Sequence, residues 1–128
     1  MRRNRHGRGL RGPLAWPPVP AMGTRRTDFD DVVTVWAERA ARFLGPRYAA
    51  VEFAVEEVPP TDPAPWEEQV SALGRTVTTE RDSRRIVVYR RPIEARVGSP
   101  EELDALVREV LVHQLAELLG VPPEEVEL

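Results

Sequence analysis

The sequence contains no cysteine and no lysine, and the lack of cysteine limits the covalent links and metal sites that the chain can form. Without cysteine the chain forms no disulfide and offers no thiolate to a metal, so any zinc would rest on His, Asp or Glu side chains. The absence of cysteine also fits a reducing cytoplasm. All 18 basic residues are arginine, which we attribute to GC-rich coding rather than to a selected function.

Long apolar runs are missing as well. No stretch of the sequence approaches the roughly 18 apolar residues that a membrane span requires. The arginine-rich start continues as GPLAWPPVP, which is not the apolar segment of a secretory signal. The sequence therefore predicts a cytoplasmic protein with no membrane partner.

Charge divides the chain into two parts. Residues 1–26 hold seven arginines and no acidic residue, so all 21 acidic side chains fall in 27–128. Residues 1–26 also contain glycines and prolines without a hydrophobic period, which predicts a flexible tail. Residues 27–128 have the length of one domain. The negative charge of this domain would repel nucleic acid, whereas the arginine-rich tail would attract it.

Hydrophobic periodicity predicts an α+β domain. Apolar residues at helical spacing indicate a first helix that starts at a Thr27 cap and stops at Gly45. Alternation in VEFAVEEV (51–58) predicts a half-buried strand, LGRTVTTE (73–80) a weak edge strand, and IVVYR (86–90) a strand that is apolar on both faces. A Ser99 cap and a Gly120 stop predict a long helix over 100–119.

The last helix carries a polar side chain in the middle of its apolar face. Gln114 lies within the stripe formed by the leucines and valines of LVHQLAELLG (111–120). An amide buried there without partners would cost about 1 to 3 kcal/mol, so we expect the backbone of a neighbouring strand to bind it. His113 lies at the border of the stripe, and its plain interpretation is a partly exposed histidine paired with Glu109 or Glu117, each four residues away.

The order of these elements, with RIVVYRRPIE at 85–94 and VREVLVHQLAELLGVPPEEV at 107–126, resembles the small zincin-like metallopeptidases, also called minimal zincins. The resemblance covers roughly residues 27–128. In that family a strand of the form D-R-I-x-L-Y-R-R-P precedes a helix with the motif H-E-x-x-H-x-x-G. The resemblance implies an N-terminal helix, a small mixed sheet of three to four strands and a long C-terminal helix that carries the motif.

The motif of this chain departs from the family pattern. The family's two zinc histidines fall on His113 and Glu117, and its general base falls on Gln114. Its acidic third ligand falls near Pro123, beside Glu124. An amide does not accept a proton from zinc-bound water, and losing a general base removes about two to four orders of magnitude in rate. A carboxylate can ligate zinc, so a weak zinc site of His113, Glu117 and Glu124 remains an alternative to a chain without cofactor.

Three functions follow as hypotheses. We expect a family protein that has lost peptidase activity and acts as a binding or scaffold module for a protein or peptide partner. One alternative is a zinc-dependent hydrolase with the altered ligand set, in which Tyr89 or a carboxylate side chain acts as the base. A second alternative is a nucleic-acid-associated adaptor that acts through the tail.

Overall fold

The computed structural model describes residues 20–60 and 73–128, and residues 1–19 of the predicted tail lie outside them. The fold is α+β, as the sequence predicts, with an N-terminal helix, a three-stranded mixed sheet and a long C-terminal helix. The described elements are α1 (Pro20–Leu44), a 3-10 helix (Pro46–Tyr48), β1 (Glu52–Glu56), β2 (Gly74–Thr78), β3 (Arg84–Tyr89), α2 (Arg90–Glu94), α3 (Pro100–Leu119) and a final 3-10 helix (Pro123–Glu125).

The first helix is longer than its sequence pattern indicates. α1 begins at Pro20, so the predicted start at Thr27 is wrong and Thr27 is not its cap. Proline suits the first position of a helix, and the alanine, methionine and arginines that follow are helix formers. Residues 20–26 of the predicted tail are therefore helical. The end is as predicted, because the helix stops at Leu44 before Gly45, which has a φ of 82°.

The sheet has the strand order β1-β3-β2, with β3 in the centre. β1 is parallel to β3 and β2 is antiparallel to it, so that Phe53 and Thr76 both lie opposite Ile86. All three predicted strands are present, and β2 occupies an edge as its weak pattern indicates. The central position of β3 explains its composition, because Ile86, Val87 and Val88 are all buried.

Both long helices pack on one face of the sheet. That face of the sheet presents Phe53, Val55, Ile86 and Val88, and the helices cover it with buried apolar side chains, which include Phe29, Val33, Ala37 and Ala40 of α1 and Val107, Val110, Leu111 and Leu115 of α3. Ala54, Val87 and Tyr89 point to the opposite face and form a separate small cluster. In residues 20–60 and 73–128, neither long helix has the apolar stretch needed to cross a membrane.

Arg90 joins three parts of the chain where β3 runs directly into α2. Its guanidinium donates hydrogen bonds to Glu57, just after β1, and to Glu94 Oε1 at 2.7 Å on α2. The backbone N–H of Arg91 donates to the carbonyl of Glu57 at 3.0 Å. The hydrogen bond to Glu57 is the main reason why the pKa of Arg90 is raised. The charged YRRPIE segment is thus a structural junction that fixes the start of α2 relative to the sheet.

Candidate functional site

The candidate site lies on the C-terminal half of α3, and the caps of that helix set its position. Ser99 Oγ accepts a hydrogen bond from the backbone N–H of Glu102 at 3.1 Å, and Glu102 Oε1 accepts one from the N–H of Gly98 at 2.7 Å. This is a reciprocal cap of the helix start. At the other end Gly120 takes the left-handed conformation with a φ of 71°. The helix spans Pro100–Leu119, as predicted, so His113, Gln114 and Glu117 share its last two turns.

Gln114 is buried and both polar atoms of its amide have partners. Its side chain is 1% exposed in the midst of the apolar core. Its Oε1 accepts a hydrogen bond from Thr76 Oγ1 at 2.7 Å, and its Nε2 donates to the carbonyl of Gly74 at 3.3 Å. The expectation that strand backbone binds this amide is confirmed. Each polar atom of the amide thus makes one hydrogen bond to β2.

The two partners of Gln114 belong to β2, which lies unusually close to α3. A β-carbon at Gly74 would meet Val110 Cγ1 at 2.6 Å and the carbonyl of Val87 at 3.0 Å, so only glycine fits there. Thr76 lies two residues further along β2 and therefore faces the same side of the sheet. Sequence reasoning did not assign Gly74 or Thr76 to the site. The signal available was a glycine at the start of a strand, which often marks a close approach of backbone.

His113 lies beside Gln114 but on the outer side of α3. Its Nε2 stands 3.9 Å from Glu109 Oε2, one turn earlier, and its side chain is 30% exposed. This agrees with the plain interpretation of a partly exposed histidine paired with Glu109. Glu117, one turn later, is exposed. The two side chains that the sequence proposed as metal ligands thus lie along the solvent side of the helix.

Glu124, the third proposed ligand, lies in the 3-10 helix after the Gly120 turn and is exposed. Buried Val126 anchors this final segment to the core. In the parts of the chain that the structure describes, no three or more His, Asp or Glu side chains form a group that could hold a metal ion. The role of His113, Glu117 and Glu124 as ligands therefore stays a prediction. A catalytic zinc site in a protein uses three protein ligands, so the described side chains do not fit that metal as they stand.

Tyr89, the alternative base, lies away from this site. Its side chain is in the small cluster on the opposite face of the sheet and is 2% exposed. Burial raises the pKa of the Tyr89 hydroxyl, and the nearby Glu56 carboxylate raises it further, whereas Arg75, through its charge and a hydrogen bond, opposes both effects. The sheet separates Tyr89 from His113. Tyr89 is therefore not placed to take a proton at the α3 surface, and that part of the hydrolase hypothesis is wrong.

Comparison with known protein families identifies the family of this chain. A family model described as zincin-like metallopeptidase matches residues 48–128, well over half of the chain. The matched range includes the whole sheet, α2, α3 and the final segment, and it begins just after α1. No curated protein is significantly similar to the chain.

Proposed function

The chain belongs to the zincin-like metallopeptidase family, and we propose that within this family it is a binding module that has lost peptidase activity. The proposal aligns the family's H-E-x-x-H-x-x-G motif with His113 to Gly120. This alignment puts an amide at the position of the general base and a carboxylate at the position of the second zinc histidine.

The environment of Gln114 is the observation that carries this proposal. A peptidase of this class needs a carboxylate beside the metal-bound water to take its proton. Gln114 has no carboxylate, and its amide oxygen already accepts a hydrogen bond from Thr76. The side chain is closed off from water at 1% exposure. Its chemistry and its partners are those of a structural residue.

The ligand positions support the same conclusion. Zinc in this family would activate the attacking water, and a catalytic zinc needs three protein ligands that converge on it. The described residues hold no such group of His, Asp and Glu side chains, and the Nε2 of His113 lies 3.9 Å from Glu109 Oε2 on the same helix. The donor set therefore does not fit a catalytic zinc.

The same region offers features that suit a binding role. β2 is at the edge of the described sheet, and within residues 20–60 and 73–128 it pairs with β3 alone. An open strand edge can take up an extended peptide as an additional strand. On the neighbouring helix α3, Glu109 and Glu117 are exposed, and no arginine follows Arg108 in the sequence. We therefore propose a partner with an extended segment that carries basic side chains.

Metal analysis and a peptidase assay test the loss of activity. The full chain is purified without a histidine tag, its zinc content is measured, and cleavage of unstructured peptides is followed with added zinc and with a chelator. A zinc metallopeptidase with an intact H-E-x-x-H motif, assayed alongside, is the positive control. We expect far less than one zinc per chain and no cleavage that the chelator abolishes. Stoichiometric zinc together with chelator-sensitive cleavage would overturn the proposal.

Peptide binding tests the module itself. Fluorescence anisotropy compares a basic and an acidic unstructured peptide of equal length at low salt. We expect the basic peptide to bind, and Glu109→Gln with Glu117→Gln to weaken it about two- to fivefold, the range for exposed charge pairs. Glu101→Gln, at the far end of the same helix, is the matched control and should leave the affinity unchanged. Equal affinity for the two peptides, or equal loss in the control, contradicts the assigned surface.

A further inference from the structure

The joint between β2 and α3 depends on Gln114, whose single side chain connects to two residues of the strand. Thr76 Oγ1 donates to its Oε1 at 2.7 Å, and its Nε2 donates to the carbonyl of Gly74 at 3.3 Å. These bonds bridge 38 and 40 residues of sequence. Both bonds lie within the apolar contact between helix and strand, where Val110 packs against Gly74 one turn earlier on α3.

From this geometry we infer that Gln114 is a clamp that holds β2 on α3 without a metal, at the position where the family has its general base. The inference rests on the proposed function only in identifying position 114 as the former base. A clamp of this kind needs both a donor and an acceptor in the same side chain, and an amide supplies both. Substitution of the base would thus have exchanged a catalytic group for a structural one.

A carboxylate cannot replace the amide in this joint. An ionised carboxylate accepts hydrogen bonds but donates none, so Gln114→Glu would leave two acceptors, the new carboxylate and the carbonyl of Gly74, facing each other. A protonated carboxyl can still accept from Thr76 and donate to Gly74. Burial and the facing carbonyl both favour this neutral form, so they would raise the pKa of the introduced carboxyl above its usual value near 4.3.

Other titrating groups do not explain such an effect. His113 and Glu117 are neighbours on α3, but they lie on its exposed side. Arg75 on β2 and Tyr89 on β3 interact with each other on the opposite face of the sheet. All of these groups are present in both the wild type and the variant. A difference in stability between the two proteins therefore isolates the carboxyl at position 114.

The test is the stability of Gln114→Glu relative to the wild type as a function of pH. A carboxyl whose folded pKa is raised stabilises the folded state fully below about pH 4.3 and loses that contribution as pH rises through the folded pKa. We therefore expect the unfolding equilibrium constant of the variant, divided by that of the wild type, to rise between pH 4.5 and 8.5. The rise is about tenfold for each unit by which the folded pKa is raised. Urea unfolding followed by circular dichroism measures it.

Further variants separate the effect of the hydrogen bonds from that of the introduced charge. Gln114→Met removes both hydrogen bonds without adding a titrating group, so its loss of stability should not depend on pH. Thr76→Val removes one bond, whereas Thr76→Ser keeps the hydroxyl and serves as the control. In a double-mutant cycle, Gln114→Met and Thr76→Val should be coupled by about twofold or more in the unfolding equilibrium constant.

The outcomes distinguish this inference from the proposed function. If Gln114→Glu matches the wild type throughout the pH range, position 114 is open to water and the clamp is wrong. The clamp is also wrong if that variant binds one zinc and gains a thermal stability that a chelator reverses. Peptidase activity in the wild type would overturn the proposed function, while the pH dependence of Gln114→Glu would still decide on the clamp.

Discussion

Gly74 on β2 and Val110 on α3 approach so closely that a β-carbon on the glycine would lie 2.6 Å from Val110 Cγ1. A carbon at that distance overlaps its neighbour, so the strand and the helix can meet here only through a glycine. The contact places the carbonyl of Gly74 within reach of Gln114. The position of the clamp thus depends on Gly74, two residues before Thr76, having no side chain.

Replacement of Gly74 by alanine should destabilise the fold. The added methyl group must displace Val110 or the carbonyl of Val87, and such overpacking costs about 1 to 3 kcal/mol. Gly98→Ala is the matched control, because a β-carbon there would meet only Glu102 Oε1, at 3.6 Å. Val110→Ala should partly rescue Gly74→Ala. Urea unfolding of the four variants measures these effects, and equal costs at the two glycines would contradict the close contact.

Truncation of Asp104 should destabilise the fold, because Asp104 accepts a hydrogen bond from the indole of Trp36. Trp36 Nε1 donates to Asp104 Oδ1 at 2.8 Å, which links α1 to α3, and the indole is 7% exposed. Asp104→Ala leaves this N–H without its acceptor and should cost about 1 kcal/mol. Asp104→Asn keeps an acceptor oxygen and should cost less. Urea unfolding gives the cost, and the indole N–H resonance of Trp36 should shift in the alanine variant alone.

Alkaline pH should destabilise the protein through Tyr89. Burial and Glu56 raise the pKa of Tyr89 above its usual value of 10.0, so the folded state holds this proton more tightly than the unfolded state. The resulting stability is complete below about pH 10 and falls as pH rises above it. Tyr89→Phe removes this group and should show a smaller decline from pH 9 to 11.

Absorbance at 295 nm checks the Tyr89 pKa directly. The chain has two tyrosines, so a Tyr48→Phe background leaves Tyr89 as the only phenol that titrates. We expect its midpoint to lie above pH 10. A midpoint at or below that value would show that Arg75 outweighs burial and Glu56, and the stability argument would then fail.

The N-terminal cap of α3 should contribute measurably to stability. Ser99→Ala removes the oxygen that accepts from the backbone N–H of Glu102, and loss of such a cap costs about 0.5 to 2 kcal/mol. Ser99→Asp retains an acceptor and adds negative charge at the positive end of the helix, so it should be close to neutral. Thermal unfolding of both variants measures the difference. Equal melting temperatures for the two variants would contradict the role of the cap.

The ends of α3 and the pairing of its exposed polar side chains could be predicted from the sequence, because both depend on residues within a turn of each other. Ser99, Pro100 and Gly120 mark the ends of the helix because each acts on its own turn, through a side-chain cap, a fixed φ or a left-handed conformation. The pairing of His113 with Glu109 is equally local, since residues four apart face each other on a helix. The start of α1 was missed because helix formers extend the helix past the cap-like Thr27.

Helical periodicity fixes which face of α3 each side chain occupies, so it was enough to predict that a polar amide lies on the buried face and needs partners. That those partners are Thr76 and Gly74 could be read only from the folded chain. They lie on an edge strand 38 and 40 residues away, and the register between a strand and a helix follows from packing of the whole core. The same packing placed Tyr89 behind the sheet, away from His113.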